Sequence, residues 1–459
     1  MSEKKLKTPY DYTIKEAVLS IDRLGASSKD IDVSNVIAQL DIFEDINRPF
    51  LLGNLVLNDD TGILSDINFI GTEKLNIKLG LPPTENAEPV TVNKNFIITQ
   101  IVKSVKVNDE ANVLAMEMIE DSGYRNYLEN VNRPYTGTGS QIVSNCISEF
   151  VGKKLEIVND GEASSSPFKI IVPNWNPFDV VTWVTGLMVK ESGYPYYFYS
   201  TIHSDNIIQN NLLSMFEKPV VNPTNPFLYS TAASKNTKAS VIKQAYTIND
   251  ITFNQGLSTL NKVREGNVGS STQQIDLIKN SSSREIIHFD VREMFKNAKT
   301  VGAVRSTQSY MTYDAKAKIN DKNLHDYDSR RVSRLQVSYI YDKNTLNSTD
   351  VVPLDQVLSA KAIMSWMQAS KTTIYVPGRN FLESSTQIPI KLGDTIAVNV
   401  LDPKNAVTGN EGVGEVKYNK KQSGEYIIQS LRHIFVLEKY SVVAECVKLT
   451  DIENNSEKL

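Results

Sequence analysis

"QSGEYIIQSLRHIFVLEKYSVVAECVKL", Gln422 to Leu449, decides how this chain is read. It has the form of two strands joined by a short turn at Leu437-Glu438-Lys439. Side chains alternate between the faces of a strand, so a half-solvated hairpin shows one apolar and one polar face. This hairpin is apolar on both. Its first strand carries Ile427, Leu431 and Phe435 on one side and Tyr426, Ile428, Ile434 and Val436 on the other. The returning strand sets Tyr440, Val442, Ala444 and Cys446 against Val443, Val447 and Leu449. Both faces of the hairpin therefore need cover.

The same order of patterns occurs near the N-terminus. "LGDTIAVNV" (Leu392 to Val400) precedes the hairpin across a loop, and "GTEKLNIKL" (Gly71 to Leu79) precedes a long strand, Phe96 to Val107, that turns at "NDEAN" and returns as Val113 to Ile119. Each block opens on a glycine followed by an acid, Gly71 with Glu73 and Gly393 with Asp394. Identity between the blocks is low, so the echo lies in element order. It reads as two copies of one small antiparallel β-barrel with helical material between. Two such barrels per chain in a three-chain ring make six quasi-equivalent barrels, and closed rings are the common outcome of head-to-tail contacts. Both faces of the hairpin would then be covered.

Before the first block, "RPFLLGNLVLND" (Arg48 to Asp59) reads as strand, with Gly53 marking a bulge or bend. Between the blocks the pattern changes. Gln141 to Phe150 has helical spacing, with Ser140 as N-cap and Gly152 as stop. "NWNPFDVVTWVTGLMVKES" gives a second helix, capped by Asn176 with Pro177 at its first position. "YPYYFYS", Tyr194 to Ser200, is an aromatic strand, and Leu354 to Ser370 a later helix. Asp160 to Ser166, Thr231 to Lys238, Gly269 to Gln274, Asn280 to Ser283 and Lys404 to Gly412 are poor in apolar residues and read as surface loops or boundaries.

Composition narrows the function. The 459 residues hold 49 basic and 53 acidic side chains, and 41% are hydrophobic. A net charge of −4 leaves no footprint for a phosphate-backbone binder. Two distant cysteines, Cys146 and Cys446, exclude a disulfide framework and read as buried thiols of a cytosolic product. There is no signal-peptide core at the N-terminus, and no run reaches the ~20 apolar residues of a membrane span.

No chemical signature stands out. His203, His288, His325 and His433 form no metal-ligand spacing, so no metal site is expected. "GVGEVK" (Gly412 to Lys417) lacks the later residues of a nucleotide loop, and there is no GxSxG. Glu44-Asp45, Asp59-Asp60 and Glu120-Asp121 are the paired carboxylates, but a glycosidase needs two acids ~5–9 Å apart in a cleft. Adjacent acids at strand ends are ordinarily solvated. The run Tyr194 to Tyr199 is read as core and interface rather than as a carbohydrate platform. Lys417, Lys420 and Lys421 read as a solvated turn. No catalytic, cofactor or metal residue is assigned, and no cofactor is expected.

Four stretches carry a family resemblance: Ile42 to Leu79, Asn130 to Leu155 ("NVNRPYTGTGSQIVSNCISEFVGKKL"), Val172 to Val184 ("VPNWNPFDVVTWV") and Ser423 to Leu449. Together, in this order, they resemble the baseplate central hub protein of contractile-tailed, T-even-like phages, which carries the central spike. The resemblance implies a virion protein of the tail baseplate, assembled in the host cytoplasm as a homotrimer. It implies two tail-tube-like barrels per chain, forming a pseudo-sixfold hollow cylinder that adapts the sixfold tube to the threefold spike. The implied partners are the central cell-puncturing spike, tail-tube or tube-initiator proteins, the tape-measure protein and baseplate wedge proteins. DNA would pass through the lumen without sequence-specific binding, and no stable membrane association is implied. In this family the lytic chemistry belongs to a separate spike protein, so an enzyme is not expected. The loop Asp402 to Gln422 and the region Asp290 to Tyr341 are long for the family.

The expected fold is α+β, mainly β: two tail-tube-like antiparallel β-barrel domains plus α/β middle domains. Residues 1–120 form the first barrel, 121–235 an α/β middle domain, 236–290 the start of the second barrel, 291–370 a continuation of the middle domain with a helix, 371–450 the rest of the second barrel, and 451–459 a flexible tail. The edge strands Leu392 to Val400 and Tyr426 to Val436 are expected to pair or pack across subunits, with interfaces above ~2,000 Å². Interface candidates are Tyr426, Ile428, Arg432, His433, Phe435, Tyr440, Ile396, Val398, Leu75 and Ile77. Two other readings are the hub part of a type VI secretion-like spike and a glycan-binding or cell-wall hydrolase tail protein. The chain ends after the second barrel, where a secretion spike would continue into a needle.

Overall fold

The computed structural model describes residues 8–22, 29–64, 67–81, 91–107, 112–158, 168–188, 193–229, 241–255, 258–276, 280–288, 317–327, 331–336, 354–382, 389–401, 418–419, 422–437 and 439–451. The tail after 451, the "GVGEVK" segment and Lys417, Lys420 and Lys421 lie outside them, as does most of the two long insertions.

The N-terminal strands are β1 (Thr13–Ile21), β2 (Lys29–Asp32), β3 (Ile37–Asp45), β4 (Leu52–Asp59), β5 (Lys74–Gly80), β6 (Thr91–Lys106) and β7 (Asn112–Glu120). Strongly alternating apolar residues fix their register. Leu75, Ile77 and Leu79 on β5 are buried, while the residues between them are not. Gly53 causes no bulge, contrary to the sequence expectation: β4 runs in unbroken register with β7. The glycine instead makes room, because a Cβ there would stand 2.3 Å from Cε of Met118.

The middle segment contains α1 (Asp121–Leu128), β8 (Pro134–Gly137), α2 (Gly139–Cys146), β9 (Leu155–Ile157), β10 (Phe168–Ile171), α3 (Pro177–Leu187), β11 (Tyr196–Tyr199), β12 (Ile207–Asn211) and α4 (Leu212–Glu217). The cap of α2 is Thr138 rather than Ser140. Thr138 and Gln141 form a reciprocal capping box, and Gly152 ends the π-turn that follows α2 in a left-handed conformation. Asn176 does precede Pro177 at the start of α3, but the cap is lent by Asn126 of α1, whose Oδ1 accepts from Phe178 N–H at 2.7 Å. This segment has its own core of Ile142, Val143, Cys146, Val180 and Val184. β11 stitches it to the rest. Tyr196 and Phe198 enter that core, while Tyr194, Tyr197 and Tyr199 enter the core of the large sheet.

The remaining strands are β13 (Phe227–Tyr229), β14 (Asp250–Gln255), β15 (Gly269–Asp276), β16 (Ser281–His288), β17 (Lys318–Ile319), β18 (Lys322–Asn323), β19 (Arg331–Gln336), β20 (Ser370–Pro377), β21 (Thr395–Val400), β22 (Gly424–Val436) and β23 (Lys439–Asp451). Gly269 to Gln274 and Ser281 to Ser283, expected as loops, are strands of a small separate sheet, β16-β15-β19. Ladders on both sides of β15 hold it extended where its Ser- and Gln-rich sequence gives no apolar signal. The helix Leu354–Ala369 is as expected and buries Ile363, Trp366 and Met367.

Among the described residues one mainly antiparallel sheet of 13 strands dominates, in the order β14-β20-β23-β22-β3-β4-β7-β6-β5-β1-β2, with β21 on β22 and β13 on β21. The fold is thus α+β and mainly β. The internal echo is present in the ladders. β3-β4-β7-β6-β5 repeats as β14-β20-β23-β22-β21, every neighbour antiparallel. The long strand of each copy carries a bulge at the matching place, between Ile98 and Gln100 and between Ile428 and Ser430. At that bulge Gln100 donates to Glu117, and Ser430 donates to Glu445. The acids after the two glycines are also equivalent: Ile98 N–H donates to the carbonyl of Glu73, and Ile428 N–H to that of Asp394. Beyond the shared unit the copies differ, since β1 lies antiparallel on β5 and β13 parallel on β21.

Candidate assembly interface

The two copies meet through β3 and β22. Glu425 to Ile427 of β22 pair with β21, and after the bulge Ser430 to Val436 pair with β3. The chain itself covers one face of the hairpin throughout: Phe435 and Tyr440 stack at 4.4 Å between ring centroids, inside one core with Leu40, Ile42 and Phe96. The approach is tight, since a Cβ on Gly378 would stand 2.3 Å from the Tyr440 ring. On the other face Ile427 and Val447 are buried, while Ile434, Val436 and Val443 stay half-buried.

A buried polar cluster sits in the joint. Nδ1 of His433 lies 2.8 Å from the hydroxyl of Tyr440, and its Nε2 lies 3.4 Å from Oε1 of Glu44. Both His433 and Glu44 are sealed from water. The 3.4 Å approach is long for a hydrogen bond, so the contact is chiefly electrostatic. Oε1 of Glu44 also accepts from Ile202 N–H at 2.8 Å, which ties the middle segment to the joint. Burial pushes the Glu44 carboxyl up, but His433 and the Ile202 N–H together hold it below the usual carboxylate range. Burial pushes His203 down to about 4, against the attraction of Glu44. Further clasps join the middle segment to the first copy. Ser200 Oγ donates to the Pro49 carbonyl, and buried Lys94 donates to the Ser204 carbonyl and pairs with Asp205.

An imidazole between a carboxylate and a phenol has the outline of a proton relay. Here no member reaches solvent, and the groups act on one another, holding three segments in register. The other paired acids are also engaged in structure. Asp45 accepts from Asn47 N–H, Asp59 from Ile63 and Leu64 N–H, and Glu120 from Leu51 N–H while pairing with Lys153. Cys146 and Cys446 are free and buried, and burial pushes the Cys146 thiol up to about 11. Among the described residues no cluster of three or more His, Cys, Asp or Glu could hold a metal, and no helix is long and apolar enough to cross a membrane.

The structure places nine of the ten interface candidates inside the chain. Leu75 and Ile77 of β5 and their counterparts Ile396 and Val398 of β21 are buried, as are Tyr426, Ile428, His433, Phe435 and Tyr440. Arg432 alone keeps an exposed side chain. It pairs with Asp41 at 2.8 Å and lies over the Phe43 ring. β22, expected to pair across subunits, has its partners β21, β23 and β3 within the chain, and β21 has β13 and β22. Alternation identified these side chains as buried, but a pattern cannot say which chain buries them. Sequence reasoning missed Glu44 as the centre of the joint, because it sits in an acidic pair that looks solvated. Asp41, 2% exposed beneath Arg432, was missed as well, since nothing in its own stretch of sequence points to the distant arginine that covers it.

No family model matches this chain, and no curated protein matches it. Among solved structures it is similar to a tail protein from Neisseria meningitidis MC58, at 10% identity and a TM-score of 0.47, covering 95% of this chain and 96% of that one. It is similar to the 43 kDa tail protein of prophage MuSo2 from Shewanella oneidensis, at 9% identity and a TM-score of 0.49, covering 95% and 99%. It is also similar to the prophage tail protein gp18 from Listeria monocytogenes EGD-e, at 8% identity and a TM-score of 0.41, covering 97% and 96%. At these values the likeness carries no inference about this chain's fold or activity.

Proposed function

We propose that this chain is a structural hub of a contractile phage tail baseplate, acting through geometry and buried interfaces rather than through chemistry. The observation that carries the reading is the repeated five-strand unit, with the same strand order, the same bulge and an acid, Glu73 or Asp394, just before its third strand in chain order. Two such units in one chain let three chains present six similar walls around a bore while keeping threefold symmetry elsewhere. Such a molecule suits the junction between a sixfold tube and a threefold spike. The sequence resemblance over four ordered stretches supports the same reading. In this role the chain would bind the central spike on one side and tube or tube-initiator proteins on the other, with wedge proteins outside. The tape measure and then DNA would pass through the bore.

The test is the mass and shape of the purified chain, by light scattering and negative-stain class averages, alone and with the neighbouring spike protein. The expected result is an assembly of three 51.3 kDa chains with a central hole and six inner lobes. A monomer at high concentration that stays monomeric with the spike would overturn the reading.

A further inference from the structure

We propose that the outer half of β6 pairs, antiparallel and head to tail, with β14 of a second copy of this chain, in the register that β22 already uses with β3. The inference deepens the assembly reading and rests on it.

The two long strands are equivalent but unequally covered. Each pairs with the preceding strand of its own unit up to the bulge, β22 with β21 and β6 with β5. Past the bulge, β22 turns its free edge to β3, whereas Gln100 to Val105 of β6 have β7 on one side and no strand on the other among the described residues. The difference is visible in burial. Leu431 is 2% exposed where its equivalent Ile101 is 40% exposed, and Ile434 and Val436 are half-buried where Val105 and Val107 are 38% and 63% exposed. A strand edge of this length, with its N–H and C=O groups unpaired, is a template for another strand, and Lys103 on it restricts which strand it accepts.

The missing partner is identified by the same equivalence. β3 occupies in the first unit the place that β14 occupies in the second, and the outer edge of β14 is likewise unpaired among the described residues. The ladders through β4 and β20 match Asp41 to Thr252 and Phe43 to Asn254. On β6 a second bulge, between Ile101 and Lys103, inserts a residue that β22 lacks, so Lys103 stands where Arg432 does. In the joint already formed Arg432 pairs with Asp41, whose place on β14 is taken by Thr252, so Lys103 would meet hydroxyl and amide groups there rather than a carboxylate. Carrying over the β22–β3 register sets Lys103 opposite Asn254, Val105 opposite Thr252 and Lys106 opposite Ile251. The two edges differ in sequence, so the contact is heterologous. Repetition generates a ring or a filament, not a twofold dimer.

Directly opposed strand residues have Cα atoms about 4.5–5.5 Å apart, within reach of a disulfide, whereas a pair displaced by two residues is beyond it. The experiment mixes full-length V105C with full-length T252C under oxidation and reads non-reducing gels. The native thiols are buried and form a low background. The expected result is a covalent dimer at least about tenfold above a mixture of V105C with N254C. The double variant V105C/T252C should give a ladder of higher species. Equal yields in the displaced control, or no cross-link, would overturn the register. Light scattering on the same samples separates this from the hub reading. A ring without the cross-link sinks the strand pairing and leaves the hub. A cross-linked open filament keeps the pairing and sinks the hub.

Discussion

At the scale of the residue, the joint depends on a few ionisable groups that are wholly or largely buried. His203 is held neutral by burial, with its pKa down to about 4. In the unfolded chain it takes up a proton near the ordinary value of about 6.5. The stability it contributes is therefore complete above that value and is lost as the pH falls from about 6.5 toward 4. The loss amounts to at most about 3 kcal/mol. Glu44, held below its usual range, loses its contribution only at lower pH. Replacing His203 with Gln should flatten the dependence of melting temperature on pH between about 6.5 and 4, while the acid limb below remains. Calorimetry across that window checks it, and an unchanged slope would assign the titration to another group.

At the scale of the element, carboxylates fold back onto the backbone where strands begin. Glu73 is fully buried and accepts from the N–H groups of Ile70, Gly71 and Thr72. Asp394 does the corresponding work more simply, accepting from Lys391 N–H. Both acids follow a left-handed glycine, Gly71 at φ +87° and Gly393 at φ +80°, a conformation other residues rarely adopt. Glu73→Ala leaves three donors without their acceptor and should cost about 1–3 kcal/mol in urea unfolding. A smaller loss would mean that water replaces the carboxylate. The sequence pattern of glycine followed by acid marked both positions. It did not reveal that these acids cap turns, because that requires the approach of the loop's own backbone.

The whole molecule is unified by the joint. Residues of both repeated units enter one core, from Leu40, Ile42 and Phe96 to Phe435, Tyr440 and Val442. The units should therefore unfold together. Phe435→Ala removes a fully buried ring from the junction and should cost about 3–5 kcal/mol. It should lower a single calorimetric transition for the large sheet rather than split it. Two separated transitions in the variant would show that the units are independent domains.

The sequence by itself determined the strands with clean alternation, the helices with caps or a leading proline, the buried hairpin and the order of elements in the two copies. Those features rest on local periodicity and turn chemistry, which neighbouring residues fix. It could not register the Ser-rich strand β15, whose extended form depends on ladders to β16 and β19. Nor could it tell that β22 spends its second half on β3, nearly four hundred residues away in the chain. Tertiary structure alone decided that one face of the hairpin is closed from within, that the far end of its other face stays half-buried, and that the outer half of β6 is left exposed. A side chain's alternation records that it avoids water, and only the folded arrangement of distant strands decides what takes the water's place.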